Sequence, residues 1–168
     1  MDKVLSQLEA ALRAMHDEHE GLLALVQRKK QALAAAKPAL VQDCCQRENV
    51  HVQQIAELEK QRQQIVGELT AAWEPNAAEP LRLTEIAERL AEPRRGRLLV
   101  QQQRLRGLMA QIQSENAVAA LATESLLGHV KGVMRMVAEA VAGTGVYGRD
   151  GVNQAGPAEV ASSFAVTA

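Results

Sequence analysis

Apolar or near-apolar side chains return in unbroken steps of three and four at Leu5, Leu8, Leu12, Met15, His19, Leu22, Val26, Lys29, Leu33 and Ala36. A repeat of 3.5 residues held over more than four heptads is the seam of a helix packed lengthwise on other helices. No strand or loop can carry that spacing. The interval holds one glycine, Gly21, and no proline until Lys37-Pro38, where the missing donor and the crowding of the preceding turn end a regular helix. The pattern predicts a first helix over residues 3–36.

A second periodic stretch runs through Leu40, Val41, Cys44, Val52, Ile55, Leu58, Ile65, Val66, Leu69 and Trp73, beside a face rich in Gln and Glu. It predicts a helix over 38–73. Two helices of nearly equal length, each about 50 Å at 1.5 Å per residue, favour a hairpin folded at Lys37-Pro38 over one kinked rod. The turn AAAKPAL nevertheless lacks the Gly or Asn that tight helix turns usually carry. Pro75 and Pro80 mark residues 74–83 as a loop, and Thr84 is placed to cap a short helix over 84–91, with Glu85 and Glu88 near its positive end. From Pro93 a long helix is expected over 93–142, carried by Leu98, Leu105, Leu108, Ile112, Ala119, Ala122, Leu126, Val130, Val133, Val137 and Val141. Gly143, Gly145, Gly148, Gly151 and Gly156 then read as a flexible tail over 143–168. The expected fold is all-α: an elongated antiparallel hairpin plus a long C-terminal helix, forming a three-helix coiled-coil-like bundle over 1–142 and followed by the tail.

Composition narrows the function. One Trp, one Tyr and one Phe leave nothing to stack under bases, so single-strand nucleic-acid platforms are not expected. Nineteen Lys and Arg against 20 Asp and Glu give a net charge of -1, too little to gather nucleic acid or an anionic membrane. No apolar run is long enough to span a bilayer, and the amphipathic first thirty residues differ from a signal peptide, so a cytoplasmic location is expected. The adjacent Cys44 and Cys45 suit a reducing compartment.

No enzyme can be assembled from the motifs. GTGVYG, residues 143–148, has the G-x-G-x-x-G spacing of a dinucleotide loop, but it follows a helix where that loop follows a strand. Glu48 and His51 form one Glu-x-x-His pair where a di-iron bundle needs two, and His16 with His19 lacks the H-E-x-x-H spacing. Neither a metal nor a cofactor is expected. Arg28-Lys29-Lys30 and Arg94-Arg95-Gly96-Arg97 read as solvated helix ends, and the cysteines as small packing residues.

The informative stretch is LLGHVKGVMRMVAEAVAG, Leu126 to Gly143. Gly128 and Gly132 stand four apart, and the aliphatic residues exceed what one buried face needs. Leu126, Val130, Val133, Met134, Val137 and Val141 are expected to form a stripe that accepts a partner helix.

The amphipathic first helix is followed by LEKQRQQIV (Leu58 to Val66), LRLTEIAERLAEP (Leu81 to Pro93), a long helix bearing Asn116, and VYGRDG (Val146 to Gly151). In this succession the chain resembles the FlgN family of flagellar export chaperones. The likeness covers most of residues 4–151. It departs at Ala119 and Ala120, where the family often has a second Asn, and at the extra glycines before Tyr147. The resemblance implies a cytoplasmic, non-enzymatic chaperone. Such a protein binds the helical termini of hook–filament junction proteins, prevents their premature assembly and delivers them to the type III export gate. It makes the Leu126–Val141 stripe the cargo face and gives Tyr147 and Gly148 the contact with the export machinery. The competing expectations are a structural coiled coil that forms homo-oligomers, such as a homodimer, through the Leu5–Ala36 seam, and a bundle metalloenzyme using Glu48, His51, His16 and His19.

Overall fold

The computed structural model describes residues 1–143, with side chains to residue 140; Tyr147, Gly148 and the tail over 144–168 lie outside the described residues. Helices take 87% of the described residues, and no strand occurs among them, so the fold is all-α. The elements are α1 (Asp2–Ala34), α2 (Pro38–Trp73), α3 (Leu83–Glu88) and α4 (Arg94–Gly143). The chain divides into two compact units, Met1–Glu124 and Ser125–Ala168.

In the first unit α1 and α2 form the antiparallel hairpin. Glu18 meets His51 and Lys29 meets Glu48, while Leu5 and Leu8 share a core with Val66 and Leu69, so position along α2 falls as position along α1 rises. The turn that lacks a Gly or Asn is made by Ala36, whose φ is 50°. Its N–H donates to the Leu33 carbonyl, and the Lys37 N–H to that of Ala32 at 2.9 Å. Those two bonds close the last turn of α1 as a Schellman motif. The helix therefore stops at Ala34, two residues before the end of the apolar repeat, and Ala36 is exposed in the turn.

An L-residue in the left-handed region costs about 1–2 kcal/mol, part of which glycine gives back through its greater freedom when unfolded. Ala36→Gly is accordingly expected to stabilise the protein by about 0.5–1 kcal/mol, read as a higher midpoint in a urea titration with unchanged slope.

Within the same unit the first part of α4 runs parallel to α1. Arg94 lies at the start of α1 beside Asp2, Ser6 and Glu9, and Glu115 lies against Lys30. The buried residues among those described in α4 are Leu98, Leu105, Ile112 and Ala119, one every seventh position. That is a heptad seam laid against the hairpin.

The main core gathers Leu5, Leu8, Leu12 and Met15 of α1, Val66 and Leu69 of α2, Ile86 and Ala87 of α3, and Leu98 and Leu105 of α4. A much smaller cluster of Leu22, Val26 and Ile112 lies towards the turn. The loop between α2 and α3 is fastened by Thr70, whose hydroxyl donates to the Val66 carbonyl and accepts the Leu81 N–H, both buried. Arg89 lies 5.6 Å over the Trp73 ring and pairs with Glu74. The short helix starts at Leu83, one residue before the expected Thr84 cap, because the Glu85 carboxylate reaches back to the Arg82 N–H at 2.7 Å.

Candidate functional site

The second unit contributes the last turns of α4. At 100° per residue Leu126, Val130, Val133, Met134, Val137 and Val141 fall within about 100° of arc, while Lys131, Arg135 and Glu139 fall on the opposite side. Arg135 and Glu139 form an i,i+4 pair there at 3.8 Å. The apolar stripe faces water: Leu126 is 43% exposed, Val133 39% and Met134 68%, with Val130 and Val137 exposed as well. The Val141 side chain lies outside the described ones. Leu127 and Met136, also exposed, flank the stripe and widen it.

Leu126 and Val133 continue the heptad series of Leu98, Leu105, Ile112 and Ala119. One helix thus carries one apolar register, buried up to Ala119 and exposed from Leu126. Gly128 and Gly132 have no neighbour that an added Cβ would meet within 4 Å. At 100° per residue both glycines fall on the side of Arg135 and Glu139, so they are not part of the apolar stripe.

The other constellations fall apart into structural pairs. The His51 Nδ1 lies 2.7 Å from the Glu18 carboxylate, while Glu48 accepts from Lys29 at 2.6 Å, so the Glu-x-x-His residues turn to different partners. The His51 ring rests on Gly21, where a Cβ would come within 2.6 Å of Cε1. That close approach is why α1 carries a glycine in mid-helix. His16 and His19 do not share a face: His16 lies half-buried beside Asp17 and Glu20, and His19 is buried in the seam with Nδ1 donating to the Met15 carbonyl oxygen at 2.6 Å. Cys44 is buried, as a packing residue would be, but Cys45 is exposed.

The basic clusters are not merely solvated helix ends. Arg94 donates to Glu9, Asp2 and Ser6, and the Glu9 hydrogen bond holds its guanidinium above the ordinary arginine range. Lys29 and Lys30 tie α1 to α2 and α4 through Glu48 and Glu115. These cross-helix pairs fix register, and a partner on another helix cannot be read from spacing within one. The signal that could have found them is the position of Lys29 inside the apolar repeat.

By class this is an all-α hairpin protein that carries an exposed amphipathic helical stripe. The model of the FlgN family, described as FlgN protein, matches residues 1–155, and the chain belongs to that family, a family of flagellar export chaperones. No curated protein and no solved structure matches the chain. No helix among the described residues is long and apolar enough to cross a membrane.

Proposed function

We propose that this chain is a cytoplasmic chaperone that holds the helical termini of hook–filament junction proteins and delivers them to the type III export gate. The cargo face is Leu126, Val130, Val133, Met134, Val137 and Val141, and the gate contact includes Tyr147 and Gly148. The observation that carries the reading is the single apolar register of α4, buried at Leu98, Leu105, Ile112 and Ala119 and exposed from Leu126 onward. An exposed stripe at coiled-coil spacing gains most by pairing with another amphipathic helix, and junction-protein termini of that kind would otherwise associate with one another. The reaction is one of binding alone. Neither nucleic acid nor membrane insertion has a part in it.

Mixing the protein with an isolated C-terminal helical fragment of a junction protein is expected to give a one-to-one complex, with amide exchange slowed over residues 126–140. Failure to form a complex, or protection confined to α1, would overturn the assignment. The homodimer through the Leu5–Ala36 seam has less support, because Leu5, Leu8, Leu12, Met15, Leu22 and Val26 are already buried within the chain's own hairpin unit.

A further inference from the structure

The hairpin unit has a second apolar surface that the cargo face does not use. Along α2 no residue between Cys44 and Val66 is fully buried, and over that stretch α2 and α4 leave an open groove of about 550 Å³. Its floor is the seam of α1, at Leu12, Met15 and His19. Its walls are Ile55 on one side and Leu105 and Met109 on the other, and Leu83 closes one end. From Leu12 to His19 the floor rises about 10 Å, two helical turns.

The rim is cationic. Arg62, Arg82 and Arg106 line it together with one carboxylate, Glu59. The Arg62 guanidinium is forked onto Glu59 at 2.7 and 2.6 Å, and this bond holds the Glu59 carboxyl below the ordinary range against the opposing effect of burial. Glu59 is therefore spent on Arg62. Arg82 and Arg106 have no carboxylate partner among the described residues. Of the two acidic residues three positions from Arg82, Glu85 accepts from the Arg82 backbone N–H and Glu79 makes no ion pair with it.

We propose that this groove is a second docking site, and that its occupant is an acidic amphipathic helix of a partner protein. An apolar floor two turns long takes the stripe of such a helix, and carboxylates beside that stripe meet Arg82 and Arg106. A small amphiphile is a poorer match, because ligand sites of this size enclose most of their ligand and this one lies open along its length. The chain's own exposed stripe is also a poor match, since the one carboxylate between Leu126 and Val141, Glu139, falls on the opposite side of the helix and none flanks the stripe. The groove lies wholly in the first unit and does not depend on the cargo assignment.

The test uses the full chain and an 18-residue helical peptide with leucines at i, i+4 and i+7 flanked by glutamates, beside a twin with lysine for every glutamate. Fluorescence anisotropy at low salt is expected to give at least about tenfold tighter binding of the glutamate peptide. The methyl resonances of Met15, Leu105 and Met109 should shift. Arg82→Ala with Arg106→Ala should abolish the preference, and Arg82→Glu with Arg106→Glu should invert it; both arginines are exposed, so the fold survives. Val133→Asp with Val137→Asp should leave this binding unchanged, which separates it from the cargo face. Equal affinity for the twins, shifts confined to Leu126–Val137, or indifference to the charge reversal would overturn the proposal. Displacement of the glutamate peptide by dodecanoate at equal concentration would overturn the helix as occupant in favour of a small anionic amphiphile.

Discussion

Val133→Asp combined with Val137→Asp is expected to weaken binding of a junction-protein helix at least about a hundredfold, while leaving the thermal unfolding of the free protein almost unchanged. Each valine buried against a partner is worth about 1.5–3 kcal/mol, and an aspartate in its place must in addition be stripped of water or hold the helices apart. Loss of one such contact gives roughly tenfold, and two adjacent ones on the same stripe compound. The free protein has little to lose, because Val133 and Val137 are 39% and 57% exposed. Substitutions at exposed sites move stability by about 0.5 kcal/mol or less. Arg135→Asp, on the opposite side of the helix, is the matched control and should leave affinity near that of the parent. Isothermal titration with the isolated fragment reads all three. Unchanged affinity in the double variant would remove the stripe from the cargo site.

How far the sequence could be read is clearest from the three seams. In α1 every expected seam residue from Leu5 to Val26 is buried, because that repeat is apolar apart from one histidine. Beyond it Lys29 takes the seam position as half of an ion pair, and the burial moves to Ala32. In α2 the inward positions run through Cys44, Glu48, His51, Ile55, Leu58, Arg62, Ile65 and Leu69, again in steps of three and four. Three of these are charged or ionisable. A reading that follows apolar residues alone steps aside to Val52, which is 51% exposed. What holds the polar positions inward is their partners, Lys29 for Glu48 and Glu18 for His51, and both come from the other helix. In α4 the heptad positions were visible from the start, but the sequence alone does not mark where burial ends along them. The hairpin turn was hidden for a different reason. Ala36 takes a conformation normally left to glycine because the bonds to Ala32 and Leu33 outweigh its strain.

The second large effect is expected in the first unit. Leu8 is fully buried in a core to which all four helices contribute, where α1 begins, α2 ends, α3 packs and α4 starts. Leu8→Ala removes three carbons from a site whose walls are held on every side, so the cavity cannot collapse, and the cost should be about 3–4 kcal/mol. Val26→Ala is the informative comparison. Val26 is equally buried, but it belongs to the cluster of three near the turn, beside polar pairs that can shift. Its smaller side chain and looser surroundings predict about 1–2 kcal/mol. Urea titrations of the two variants measure the difference, and equal losses would mean that the two clusters form one continuous core. The same variants bear on function. Leu8 lies in the first unit and the cargo stripe in the second, so below its unfolding midpoint Leu8→Ala should bind the fragment within about twofold of the parent, as sites without shared partners contribute independently. An affinity loss matching that of Val133→Asp with Val137→Asp would instead place part of the cargo contact on the hairpin unit.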